Sequence, residues 1–416
     1  MVLEIRLGNF FSIKEEIVLD LRAGNINTQR AKALRNNVFE YGKTRVLKTI
    51  AMYGANASGK SNIIKAIRFC NSMVFTSHQF NEDKIFPFQP FKFEGYPGKP
   101  STYFIRFVSN GIEYEYAFSL TTKEIVTESL FYYPKGRRAK VFTRDERLGP
   151  DKRAVYSFGD AIRRPLDVAE NTSRKTLYIS RASQMDRAIG KEIFNYFLRD
   201  FILGYKNFDD ASLEVLLKDY KEPLLQALRM ADSDIVDYKI EKVLTKGKIY
   251  NLQPDQASVE DIEEKKLQVY TYHRTAPDVP FNFMFEESDG TKKLFLIMLT
   301  LLKVITENRS LIIDEIESSL HPNIVQYIID LFHASDHAQL IFATHNTKLL
   351  DLKKLRKDQI FFVNKKEDGS TDLYSLYDFK DFRDTMDVEK AYLQGRFDAV
   401  PFIDDSREQL NTIVHG

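Results

Sequence analysis

Gly54-Ala55-Asn56-Ala57-Ser58-Gly59-Lys60-Ser61 fits the pattern G-x-x-x-x-G-K-[ST]. Small residues and glycines let successive backbone N–H groups turn inward and form a concave anion nest. Gly54, Asn56, Ala57, Ser58 and Gly59 make that turn, and Asn62 follows it. Lys60 brings a point charge to the β- and γ-phosphates of a nucleotide, and the Ser61 hydroxyl can ligate Mg²⁺. A second group stands far downstream, where Leu311-Ile312-Ile313-Asp314-Glu315 is an apolar run ending in two carboxylates. At a strand tip Asp314 can hold Mg²⁺ through water. Glu315, one residue on, is placed to orient or deprotonate an attacking water. Ile341-Phe342-Ala343-Thr344-His345-Asn346 repeats the arrangement. In an open α/β sheet, ligands bind at the C-terminal strand ends, so His345 can reach a γ-phosphate or the attacking water. Ser288 and Gly290 precede a long apolar run. They read equally as an ordinary helix cap or as an anion site of backbone N–H groups and a hydroxyl.

The elements that must position these residues are visible in the patterning. Residues 46–53 (VLKTIAMY) read as a buried strand leading into the loop, and 62–69 repeat apolar residues at helical spacing after it. Strand, loop and helix in that order are the context the motif requires, and the helix dipole adds to the anion site. Residues 2–7 and 16–21 alternate apolar and polar around the turn Asn9-Phe10-Phe11-Ser12, which predicts an N-terminal hairpin. Residues 22–45 read as a loop or short helix. Residues 102–108 and 112–120 alternate around Asn110-Gly111, a strong hairpin turn, and 125–133 supply another strand. The basic turn at 135–140 reads as a solvated hairpin tip or as a phosphate-contacting patch. From about residue 181 to 231 the periodicity becomes helical, without sustained heptads. Residues 235–243 and 267–272 look like strands, and the polar, acidic stretch 245–265 between them reads as a mobile loop. The last third alternates helix and strand: 292–305 and 322–332 helical, 310–313, 339–343 and 359–363 buried strands.

Composition narrows the classes further. With Lys+Arg at 60 against Asp+Glu at 59, no global basic field recruits nucleic acid, so DNA or RNA contact would be local or induced by assembly. The single Cys70 excludes an internal disulfide framework and a zinc cluster. The N-terminus lacks the basic and apolar regions of a signal peptide. No apolar run approaches the roughly 20 residues that span a bilayer, so the expected location is cytoplasmic.

Taken together the motifs resemble the ATP-binding-cassette ATPases of the SMC/RecF/OLD group. The order matches: phosphate loop, long insertion, signature segment, Walker B acid, histidine switch loop. Leu3-x-Ile5-x-Leu7-x-Asn9-Phe10 resembles that group's first strands. Within it, GANASGKSN, ESDGTKKLF at 287–295, DEIESSLHP at 314–322, ATHN at 343–346 and AYLQGRFDAVPFI at 391–403 look like the stand-alone bacterial ATPases of the RloA and AbiLi type. The resemblance implies an α/β ABC-type head with a β-rich N-terminal lobe and a helical insertion. The expected segments are 1–180, 181–234 and 235–416. It implies ATP and Mg²⁺ as cofactors and a head-to-tail dimer. Lys60, Ser61, Asp314, Glu315 and His345 would act from one chain, and Ser288 and Gly290 from the other. Gln89 would be the glutamine that links the lobes. Two departures stand out: Phe11 where many relatives carry a basic residue, and Ser318-Ser319-Leu320-His321 where an Asp is usual.

About seventy residues follow His345, with scattered acids such as Asp404 and Asp405, which is too little for an appended nuclease fold. The implied function is therefore a slow ATPase, acting in phage defence through a separately encoded effector such as a nuclease. The rival expectations are a RecF-like repair ATPase that loads on DNA, and a non-catalytic nucleotide-gated scaffold. The intact Glu315 argues against the last.

Overall fold

A computed structural model of the chain describes every residue except 94, 206, 207, 232, 254, 255, 319, 402–412, 415 and 416. Ser319, Asp404 and Asp405 thus lie outside the described residues. Two compact units result: Met1–Gly204 with Asn308–Ser318 and Ile329–Gly416, and Tyr205–Glu307 with Ser319–Ile328. These divisions cut across the segments expected at 181–234 and 235–416.

The first unit opens with β1 (Val2–Gly8) and β2 (Ile17–Asp20), antiparallel as their alternation requires. Residues 22–45 hold more structure than a loop or short helix. Thr28 caps α1 (Gln29–Ala33), and β3 (Val38–Tyr41) pairs with β4 (Thr44–Leu47). The strand expected at 46–53 is two strands. It breaks at Lys48, whose ammonium donates to the carbonyl oxygens of His333 and Ser335. β5 (Thr49–Tyr53) then runs, wholly buried, into the loop. α2 (Lys60–Thr76) follows and buries Ile63, Ile64, Ile67, Cys70, Met73 and Val74.

The meander is β6 (Ser101–Ser109), β7 (Ile112–Leu120), β8 (Ile125–Tyr132) and β9 (Ala139–Asp145). After α3 (Lys152–Val155), β10 (Tyr156–Phe158) closes a seven-stranded sheet of order β10-β9-β8-β7-β6-β1-β2. Alternation decides its buried face, where Tyr103, Ile105 and Phe107 lie beside Tyr114, Tyr116 and Phe118. Asn110 and Gly111 take φ of 47° and 76°, the left-handed pair that a two-residue hairpin demands. The basic turn at 135–140 joins β8 to β9. There Arg138 bonds Glu115 at 2.7 Å and lies over the Phe131 ring at 3.5 Å. α4 (Pro165–Glu170), α5 (Tyr178–Gln184) and α6 (Ala188–Asn195) come next, then β11 (Phe201–Leu203). Helical spacing had swept Ile202 into a helix, whereas it is a strand residue; short apolar runs do not separate the two.

The second unit carries α7 (Asp210–Asp219), α8 (Lys221–Met230), β12 (Ile235–Gln253), β13 (Gln256–His273), β14 (Ala276–Asn282) and α9 (Asp289–Thr306). The loop expected at 245–265 is instead a continuation of the β12–β13 ladder, in register from Lys239↔Tyr270 to Gln253↔Gln256. That register places Lys246 opposite Glu263 and Lys248 opposite Asp261.

The chain then completes the central sheet with β15 (Ser310–Ile313), α10 (Pro322–Ala334), β16 (Gln339–Thr344), β17 (Ile360–Lys365) and β18 (Thr371–Ser375), before α11 (Val388–Leu393). The order is β11-β15-β16-β5-β17-β18, parallel from β11 to β17, with β18 antiparallel to β17. The fold is thus α/β, with the phosphate loop on a parallel sheet. β5, β15 and β16 are buried at every position, which explains their unbroken apolar runs. No described helix is long and apolar enough to cross a membrane.

One charged group is built into the first unit's core. The fully buried Arg144 side chain lies between Glu128 at 3.4 Å and Glu146 at 2.7 Å, and donates to the Thr176 carbonyl oxygen at 2.7 Å. Glu128 also accepts the N–H groups of Tyr178 and Ile179, at 2.6 and 3.1 Å, where α5 begins. The Tyr116 hydroxyl donates to Glu128 as well, at 2.9 Å, so Glu128→Ala removes an acceptor from four donors at once. The expected loss is about 3–5 kcal/mol in denaturant unfolding; a change under 1 kcal/mol would show that the network does not hold α5.

Candidate functional site

The chemically suggestive segments of the first unit each begin one step past the end of a parallel strand. Tyr53 of β5 pairs with Thr344 of β16, and Phe342 pairs with Ile313 of β15. Gly54, His345 and Asp314 are the next residues after those three strands, so their loops emerge at one edge of one sheet. The sequence expectation about Gly54, Asn56, Ala57, Ser58, Gly59, Lys60, Ser61, Asn62, Asp314, Glu315 and His345 meets the structure at this edge.

The loop between β5 and α2 is shaped by close approaches. A Cβ on Gly54 would lie 2.3 Å from the carbonyl oxygen of Val363 in β17. Gly59 has φ of 115°, and a Cβ there would lie 2.0 Å from Oγ1 of Thr371. Ala57 also takes a left-handed φ, 62°. Lys60 Nζ folds back onto the carbonyl oxygens of Gly54 and Ala55, at 2.7 and 2.9 Å. A brace behind the loop escaped the sequence reading. Thr371 Oγ1 donates to the Ser58 carbonyl oxygen at 3.0 Å and lies 2.7 Å from Ser12 Oγ, which accepts from Asn62 Nδ2 at 2.8 Å. Ser12 was visible only as a turn residue, and Thr371 had no signal, because its strand was not foreseen.

Beside the loop lies the acidic segment that follows β15. Glu315 is exposed and holds a left-handed φ of 50°, a conformation that costs about 1 kcal/mol or more for a non-glycine residue. Glu317, which motif reading passed over, accepts the His345 N–H on Oε1 at 2.5 Å. Several buried polar atoms here have no hydrogen-bond partner: Asp314 Oδ1, Glu317 Oε2, Asn346 Nδ2 and Ser58 Oγ. A bound ligand would supply partners for such atoms. An orphaned carboxylate oxygen on Asp314 fits a divalent cation, with the Ser61 hydroxyl as the expected second protein ligand. Among the described residues no cluster of three His, Cys, Asp or Glu side chains could hold a metal alone.

Electrostatics tie the group together. Burial lowers Lys60 to about 8, opposed by the charges of Asp314, Glu317 and Glu315. Partial burial lowers His345 below the usual imidazole value, helped by Lys60 and opposed by the same three carboxylates. At neutral pH His345 is therefore an uncharged donor and acceptor.

Two expected groups lie elsewhere. Ser288 and Gly290 belong to the second unit, where Ser288 caps the 18-residue α9 by accepting the Thr291 N–H at 3.1 Å. Glu287 before them is buried and held by the Thr271 hydroxyl and by His273 Nε2 at 2.8 Å. Gln89 is exposed, and its carbonyl oxygen accepts the Phe11 N–H at 2.7 Å.

Comparison with known proteins adds a family. The family model described as "AAA domain, putative AbiEii toxin, Type IV TA system" matches residues 50–351. The solved Smc head bound to the C-winged helix domain of ScpA gives a TM-score of 0.41 at 17% identity, over 94% of this chain and 99% of that one. The SMC head domain from Thermotoga maritima gives 0.40 at 13% identity, over 90% and 98%. No curated protein matches the chain.

The lowered Lys60 makes phosphate binding pH-linked. A polyphosphate against Nζ raises its pKa above the free value of about 8. Nucleotide binding at pH 8.5 should then take up a proton, and affinity should fall as pH rises past 8. Calorimetry in two buffers of different ionisation enthalpy reads that proton, and Lys60→Met should abolish it. Equal heats for wild type in both buffers would contradict the assignment.

Proposed function

The chain belongs to the family described as AAA domain, putative AbiEii toxin, Type IV TA system, and on that premise we propose that it is a Mg-ATP-driven switch. It binds ATP at the β5–α2 loop, closes head to tail on a second copy, and hydrolyses slowly. Through that cycle it holds or releases a separately encoded effector, a nuclease or toxin, in cytoplasmic anti-phage defence. The observation that carries the ATPase reading is the shared edge of β15, β16 and β5, where Lys60, Asp314, Glu315 and His345 meet around unsatisfied buried polar atoms. The effector role rests on the family description and on the motif resemblance.

The chain's residues divide the work. The nest of Gly54 to Gly59 takes the phosphates through backbone N–H groups, and Lys60 leaves its carbonyl partners to meet the β- and γ-oxygens. Asp314 and Ser61 would hold Mg²⁺, whose charge offsets that developing on the phosphoryl oxygens. Glu315, exposed and held in an unusual backbone conformation, takes the proton of the attacking water. Neutral His345 orients that water or the γ-phosphate. Ser288 and Gly290 at the α9 N-terminus cap the γ-phosphate of the second copy, where backbone N–H groups and the helix dipole favour an anion.

Steady-state phosphate release and solution mass, with and without MgATP, test the proposal. Glu315→Gln should cut turnover by roughly 10²- to 10⁴-fold while ATP holds that variant as a dimer or larger assembly. Undiminished turnover in the variant would remove Glu315 as the base. Wild type that neither turns over nor changes mass with ATP would sink the switch.

A further inference from the structure

Large apolar side chains stand in solvent just ahead of Ser288. Met284 is 63% exposed and Phe285 84%. A lone exposed apolar residue is ordinary; a pair held out by a braced turn is not. Asn282 is the centre of the brace. Its Oδ1 accepts the Met284 N–H at 3.1 Å, and its carbonyl oxygen accepts the N–H groups of Phe285 and Glu286, at 3.2 and 2.8 Å. Its own N–H donates to the Glu286 carboxylate at 2.5 Å. From the first turn of α9, Lys292 Nζ donates to the Met284 carbonyl oxygen at 3.0 Å. On the far side Glu287 is buried and anchored by Thr271 and His273. The turn also sorts its aromatics: Phe283 is buried against Phe295, with ring centroids 4.8 Å apart, while Phe285 points out. The backbone is thus fixed on both sides of two side chains that bury little. Pre-ordered aromatic and thioether groups of this kind lose little entropy on association and make interface anchors.

We propose that Met284 and Phe285 are the apolar anchor by which the chain grips a second copy of itself, on the interface that Ser288 and Gly290 enter. This rests on the head-to-tail reading above. The occupant follows from continuity. Phe285 is three residues from Ser288, so their Cα atoms lie within about 11 Å of each other. A specific interface covers about 800 Å² on each partner, a patch about 30 Å across. A patch of that size centred near Ser288 reaches Phe285 as well. In a two-fold dimer the patch is used twice, which doubles the effect of any change in it.

The chain's sole cysteine, Cys70, is buried, so Phe285→Cys offers one accessible thiol. The experiment labels it with an environment-sensitive fluorophore in the Glu315→Gln chain and follows emission, iodide quenching and mass as MgATP is added. Mass should double as the label shifts to the blue and loses its access to iodide. In parallel, unlabelled Phe285→Ser should raise the protein concentration for half-maximal dimer at least about tenfold, with nucleotide affinity of the monomer unchanged. A dimer whose label stays as quenchable as in the monomer, and which Phe285→Ser forms as readily as its parent, overturns the anchor and leaves the head-to-tail reading standing. A parent chain that shows no ATP-driven doubling overturns both.

Discussion

The parallel pairing of β15, β16 and β5 is the constraint on which the site depends, because it brings three loops out at one edge of the sheet. Ile313 faces Phe342, and Thr344 faces Tyr53, so Asp314, His345 and Gly54 begin their loops at one edge. A one-residue slip in either pairing would turn every side chain of a strand to the other face and carry its loop about 3.3 Å away. All three strands are buried at every position, so a slip would also break the buried contacts they make. Two glycines convert register into shape: Gly54 lets the loop pass the β17 backbone, and Gly59 lets it pass Thr371.

That geometry explains why charges of both signs are gathered in so small a space. Burial alone pulls Lys60 down to about 8, and the three carboxylates nearby keep it from falling further. Lys60 meanwhile helps to keep His345 neutral. Lys60 donates to the carbonyl oxygens of Gly54 and Ala55, while Asp314 and Glu317 each keep a buried oxygen without a donor. Charges of both signs thus meet at one edge of the first unit's sheet. In the second unit the same economy appears at Ser288. Glu287 is pinned, Asn282 braces the turn, and Ser288 caps the α9 N-terminus.

Much of this was legible in the sequence, for a physical reason. Phosphate binding fixes residue types at fixed spacing, and buried parallel strands are uniformly apolar, so Lys60, Asp314 and His345 could be found with their strands. What escaped was long-range or patterned for another purpose. Ser12 and Thr371 brace the loop across 359 positions of sequence, a contact that no local pattern announces. β11 is only three residues long, and its Ile202 fitted the helical spacing before it. The 245–265 stretch reads as a loop because it is polar. Its lysines and acids are instead register partners in a ladder, which composition cannot distinguish from solvated charge. Glu317 was passed over because two carboxylates already filled the expected roles.

The central claim is that the β5–α2 loop holds the phosphates of ATP and that Lys60 supplies the charge. Calorimetric titration of MgATP into wild type and Lys60→Ala, with the fold of each checked by circular dichroism, tests it most directly. The account predicts one ATP per chain for wild type, and a loss of affinity of at least about tenfold in a folded Lys60→Ala, as removal of a charged hydrogen bond requires. Equal affinity in the two proteins would contradict it.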